Sequence, residues 1–194
     1  FERLVQRVAQ REGPHIQHRV ALTDGAESLQ CQVQNRLSRF TLVLDIIHAS
    51  EYLWDAANAL LGENHPDRTS WVKEHLLLIL SDRTADVIQI LEHHAQDSAL
   101  SAAQRQVLNT TIGYYRRNLP YMHYGSYLAQ GWPIGTGVVE GACGHLVKDR
   151  MERSGMRWTL AGAQALLDLR AVRINVYDWD AYQTFHRFQQ HQRL

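Results

Sequence analysis

The sequence is poor in the residues that staple or break a fold. Two cysteines, Cys31 and Cys143, stand far apart with no partner spacing, which excludes a disulfide framework and a cysteine zinc site. Reduced thiols in a cytoplasm are the ordinary state for such a pair. Four prolines in 194 residues leave long helices uninterrupted. Lysine plus arginine equals aspartate plus glutamate at 20 each, so no global basic field announces a nucleic acid, and any such contact must come from a local cluster. No run of about 18 apolar residues occurs, so no membrane span is expected. The beginning carries no signal-peptide pattern. Phe1 in place of a methionine predicts that upstream chain is missing. Low hydrophobicity with high net charge, the signature of disorder, is absent as well: 45% of the residues are hydrophobic and 21% charged.

What is present divides into three textures. Apolar spacing predicts a helix over 1–11. A β-branched and apolar run then ends in Asp24-Gly25, which reads as a buried strand delivering an aspartate to a turn. A helix over 26–37 follows, and then a second buried strand, Phe40 to His48. Two strands joined through a helix form a βαβ unit, which favours a parallel or mixed sheet under helices. From residue 51 the chain turns helical, with helices predicted over 51–61, 71–80, 84–94 and 101–118 and no strand signal between 67 and 130. Glycine-rich chain from Gly131 leads into helices over 142–153, 160–173 and 179–188. The organisation read from this is 1–66 as a sheet-bearing part, 67–130 as an all-α insertion and 131–194 as a helical terminal part.

Few residues stand out chemically. Asp24 sits where a rigid strand could present a metal-binding carboxylate, although Asp-Gly is also a common turn pair. Asp45 and His48, three apart at the end of the second strand, could touch on a helical turn or organise a ligand shell. Glu140 follows a dense run of glycines, which lets a ligand approach closely, while a carboxylate in a first helical turn also complements the helix dipole. Lys148, Arg150, Arg153 and Arg157 form a basic group. The three arginines fall within about 60° of one another if the helix continues through Gly155, as suits a phosphodiester backbone, and a solvated face paired with Asp149 and Glu152 is the competing reading. The paired His93 and His94, and His186 with His191, lack zinc-site spacing and read as surface residues.

Three segments together resemble a known family. The run Pro133-Ile-Gly-Thr-Gly-Val-Val-Glu140-Gly-Ala-Cys-Gly144-His-Leu-Val-Lys148-Asp-Arg150-Met-Glu-Arg153-Ser-Gly-Met-Arg157-Trp158 is similar to the C-terminal signature of bacterial insertion-sequence transposases of the ISKra type. Leu22-Thr-Asp24-Gly-Ala26 and Leu44-Asp45-Ile-Ile-His48-Ala-Ser-Glu51-Tyr-Leu-Trp54 match the family in order and approximate spacing, and Gly162 to Arg173 continues the match. The resemblance implies an α/β fold: a partial RNase H-like domain, a mixed sheet with helices, interrupted by the all-α insertion. It implies a DDE active site whose second aspartate is Asp24 and whose glutamate is Glu140. Asp45 and His48 resemble the Cys/Asp-x-x-His element of Mutator-like relatives, which places His48 among the catalytic residues. It further implies a cytoplasmic protein with DNA as partner, transposon ends and target alike, and a homo-oligomer in the synaptic complex.

The implied cofactor is Mg²⁺ (or Mn²⁺) in a two-metal site, since cleavage and strand transfer of phosphodiesters use two ions about 3.5–4 Å apart with hard oxygen ligands. Asp24 and Glu140 would be the metal ligands; Lys148, Arg150, Arg153 and Arg157 would contact DNA. The departure is the first aspartate. Glu2 and Glu12 are the only acids before Asp24, and neither lies in a strand pattern, so the expected chain is incomplete as an enzyme. Gly144 also stands where relatives carry a basic residue. The alternatives are another RNase H-like nuclease, such as a resolvase, and a noncatalytic DNA-binding or assembly module.

Overall fold

A computed structural model describes residues 1–152, 155–174 and 176–191, with backbone alone at 138, 140, 150, 176–178, 190 and 191. The fold is mostly helical, with one small parallel sheet. It divides into two compact units, Phe1–Thr136 and Gly137–Leu194.

In the first unit, helix α1 (Glu2–Arg11) precedes strand β1 (Val20–Thr23), helix α2 (Glu27–Arg36) and strand β2 (Thr41–Leu44). The strands pair in parallel, Val20 with Thr41 through Thr23 with Leu44, because the ten-residue α2 returns the chain to the same end of the sheet. Strand alternation sorts the side chains. Ala21 and Leu42 pack with Val5, Val8 and Val33 on the α1–α2 side. Leu22 and Val43 enter the main core on the other. Neither early acid stands on a strand: Glu2 opens α1, and Glu12 ends it, where its carboxylate accepts from Nε and Nη2 of Arg19.

Helices α3 (Ile46–Leu61), α4 (Arg68–Leu80), α5 (Thr84–Ala95), α6 (Ala102–Asn118) and α7 (Tyr124–Ala129) follow, with a 3₁₀ turn at Leu119–Tyr121. Among the described residues no strand interrupts this run. The helices share one core with β2. In α3 the fully buried Ala49, Leu53, Ala56 and Ala57 recur at helical spacing, and the three small alanine side chains let α6 approach. The Tyr115 hydroxyl on α6 consequently donates to the Ala49 carbonyl at 2.7 Å. Ser101 starts α6 with a reciprocal cap, its hydroxyl accepting from Gln104 N–H while the Gln104 side chain accepts from Ser101 N–H. At Asp82, φ is +61°, and the carboxylate reaches across to accept from the Gly125 and Ser126 N–H groups and the Ser126 hydroxyl, capping α7 from another helix connection. No helix among the described residues is long and apolar enough to cross a membrane.

The second unit opens with α8 (Gly137–Cys143), a π-helical stretch (Gly144–Lys148) and α9 (Asp149–Met151), followed by α10 (Leu160–Ile174) and α11 (Val176–His191). Arg170 of α10 donates to the carbonyls of Leu146, at 2.8 Å, and His145, satisfying acceptors that the π-turn leaves open. The Arg173 guanidinium lies 4.8 Å from the Trp179 ring centroid, which links α10 to α11.

Candidate functional site

The first chemically open group stands where β1 ends. Asp24 is exposed, and its Oδ1 accepts the Ala26 N–H at 3.0 Å, an Asx turn that directs the chain into α2. Its second carboxylate oxygen carries no hydrogen bond from the described residues. The next residue must be glycine: φ is +88°, and a Cβ at Gly25 would lie 2.7 Å from the Tyr114 hydroxyl oxygen and 3.0 Å from Leu44 Cδ1.

Two side chains of α6 hold this turn. The Tyr114 hydroxyl donates to the Asp24 carbonyl at 2.9 Å, and Arg117 Nη2 donates to the Gly25 carbonyl at 3.0 Å. The Arg117 guanidinium lies 5.6 Å from the Tyr114 ring centroid, and the same ring stacks on Tyr52 of α3 with centroids 3.8 Å apart. Burial pushes the Tyr114 phenol well above its ordinary range, with Tyr52 and Asp24 adding to the effect, so the hydroxyl stays a donor.

A second acid leaves the sheet at the same end. Asp45 N–H donates to the Thr23 carbonyl at 2.8 Å, so Asp24 and Asp45 emerge side by side from neighbouring parallel strands. Their roles differ. Asp45 is 0% exposed. Its Oδ1 accepts the Ile47 N–H at 2.9 Å as the cap of α3, and its Oδ2 accepts the Thr136 hydroxyl. Burial alone would raise this carboxyl; the donors Thr136, Ile47 and His48 outweigh it and hold the group below its ordinary range. Asp45 is thus a structural cap with both oxygens occupied, and not an open ligand.

His48 lies one turn along. Its Nδ1 is 3.2 Å from Asp45 Oδ2, where an Nδ1–H donates, and the side chain is 35% exposed. A buried carboxylate that fixes a histidine ring in this way leaves Nε2 able to accept a proton, a hydrogen bond or a metal ion. The contact between the two residues expected from their spacing is present, but on different structure. The strand stops at Leu44, and α3 begins at Ile46, five residues before the predicted start at 51, because Asp45 caps it. The segment preceding Thr136 is fitted to this cap: Ile46 N–H donates to the Ile134 carbonyl at 2.9 Å, and a Cβ at Gly135 would lie 3.3 Å from Ile46 Cγ2.

Against known proteins, the chain matches no family model, no curated protein and no solved structure.

Glu140 belongs to α8, in the second compact unit, whereas Asp24, Asp45 and His48 belong to the first. The predicted helix over 142–153 begins five residues earlier, at Gly137, and ends at Met151. Gly155 has φ +68°, so the helix does not continue to Arg157, and the stripe that required such continuity is not built by one helix. Lys148 is exposed at the end of the π-helical stretch, Arg150 is in α9, and Arg157 is exposed on non-helical chain. Arg153 lies outside the described residues.

Among the described residues no three His, Cys, Asp or Glu side chains converge as a metal site. Asp24, with one open oxygen at a strand end, fits as a single carboxylate ligand; the other described side chains do not complete a centre around it. Tyr114, Arg117 and Thr136 are the site residues that sequence spacing did not single out. The adjoining tyrosines and arginines at the end of α6, Tyr114 to Arg117, were the available signal.

Proposed function

We propose that this chain is the C-terminal part of the catalytic region of a DDE transposase with an RNase H-like fold. Its chemistry would be metal-dependent cleavage and strand transfer of DNA phosphodiesters. The observation that carries the reading is the exposed carboxylate of Asp24, held rigidly at the C-terminal end of a strand in a parallel βαβ unit, with the Asp45–His48 pair emerging beside it. The similarity of the Glu140 segment to the transposase signature supplies the second acid.

In this reading Asp24 and Glu140 are ligands for Mg²⁺ or Mn²⁺. When bound, the ions activate the attacking oxygen and stabilise the leaving one. The work of the described residues is placement. Gly25, Tyr114 and Arg117 fix the direction of Asp24, and Asp45 orients His48 so that Nε2 can hydrogen-bond a substrate or water. Lys148, Arg150, Arg153 and Arg157 bind the DNA backbone. No third carboxylate joins Asp24 and Glu140 in a metal group among the described residues, and this chain alone is proposed not to turn over DNA. The working protein is proposed to be cytoplasmic and to assemble as a homo-oligomer on paired DNA ends.

The test is substitution of Glu140→Gln, and separately Asp24→Asn, in the full-length protein, with excision of a donor element as readout. Loss of excision with normal DNA binding is expected. Excision that survives either change would overturn the assignment of that acid.

A further inference from the structure

Arg117 is placed to do more than brace a turn. It lies in the last turn of α6, where a cation complements the helix dipole. A side chain serving only that end would fold back on the carbonyls of its own helix. Instead Arg117 spans 92 residues of sequence to the Gly25 carbonyl and lies over the Tyr114 ring. These two contacts fix the plane of the guanidinium and use only one of its N–H donors. Its one ionic partner among the described residues, Glu27 Oε1 at 3.3 Å, comes from a side chain that is 72% exposed, a pair that water and salt screen strongly. The Arg117 side chain is itself 43% exposed. The result is a pre-oriented fork of donors held on the same turn that carries the open carboxylate of Asp24. A fork of this shape matches two oxygens of a phosphate.

We infer that Arg117 contacts a backbone phosphate of the nucleic acid at Asp24, which makes the helical region part of the substrate site. The inference rests on the reading of the Asp24 edge as a phosphodiester site. A phosphate there would displace the exposed Glu27 carboxylate while the contacts to Gly25 and Tyr114 stay in place, so no backbone has to move.

The experiment is equilibrium binding of a fluorescein-labelled DNA duplex to the full chain over a series of salt concentrations. The logarithm of the binding constant falls with the logarithm of salt by about 0.9 per phosphate neutralised. Arg117→Gln is expected to reduce that slope by about 0.9, while Arg117→Lys, which keeps the charge, retains it. Circular dichroism of each variant establishes that it is folded. If Arg117→Gln is misfolded, Glu27→Gln serves instead: freeing Arg117 of its partner tightens DNA binding if the inference holds and leaves it unchanged if it does not. Duplex binding with an unaltered slope in Arg117→Gln overturns the role of Arg117 and leaves the wider reading standing. Absence of duplex binding by the unmodified chain at every salt concentration overturns both.

Discussion

Replacing Gly25 with alanine tests whether the Asp24 turn is held as tightly as its contacts indicate. Two separate costs enter. An alanine at φ +88° pays about 1–2 kcal/mol for a left-handed backbone. Its Cβ would also sit 2.7 Å from the Tyr114 hydroxyl oxygen and 2.9 Å from Cε2, so the ring must move. Movement sacrifices the hydrogen bond to the Asp24 carbonyl, about 0.5–1.5 kcal/mol net, and loosens the stack on Tyr52, roughly another 0.5–1.5 kcal/mol. The expected total is about 2–5 kcal/mol, a large share of the roughly 5–15 kcal/mol that holds an ordinary domain together. Gly131→Ala is the control. It has φ +70° and open space around the new Cβ, so only the backbone cost of about 1–2 kcal/mol applies. Urea denaturation followed by circular dichroism gives both values, provided that the slope of free energy against urea is unchanged. A Tyr114→Phe background removes the nearest atom, and there the cost of Gly25→Ala is expected to fall by about 1 kcal/mol. If the two glycine substitutions cost the same, and Tyr114→Phe changes neither, the clamp on Asp24 is not a constraint and the reasoning fails.

Two further substitutions probe the caps. Asp45→Asn places an amide where the carboxylate now accepts from Ile47, His48 and Thr136, and a cost of about 2–3 kcal/mol is expected from urea midpoints. The folded Asp45 carboxyl lies below its ordinary value of 3.8, so its contribution is full above that pH and is lost as pH falls through the folded value; the Asn variant is expected to show a flatter stability profile below about pH 4. Asp82→Ala removes the cap of α7 and should cost about 1 kcal/mol, read as a lower thermal midpoint, whereas an unchanged midpoint would show that α7 is held by Tyr124 and Tyr127 alone.

Much of this architecture was legible because the local signals agreed with the tertiary outcome. Asp24-Gly25 marked the end of a strand, Ser101 opened a helix, and the chain from 67 to 130 carried helical spacing alone. The errors arose where one signal masked another. The apolar run from Leu42 to Ile47 reads as continuous strand, yet Asp45 interrupts it by capping α3, so the second half of the run is helical. The arginine stripe assumed a helix running through Gly155, and a positive φ there ends that geometry. Tyr114, Arg117 and Thr136 reach the site from far along the chain, and no periodicity within a window of a dozen residues can report a partner 90 residues away.

That separation carries a consequence for how the protein is made. The backbone carbonyls of Asp24 and Gly25 receive their donors from residues 114 and 117, so the turn acquires its final direction only after α6 has formed. On a ribosome, β1, α2 and β2 emerge well before that helix does. The Asp24 edge is therefore one of the last features of the first unit to be completed, and it inherits the slow closure of a long loop. Synthesis that stops before residue 118 yields a sheet whose principal carboxylate is present but not aimed. Shortening α6 by a turn at its end removes Arg117 from the clamp.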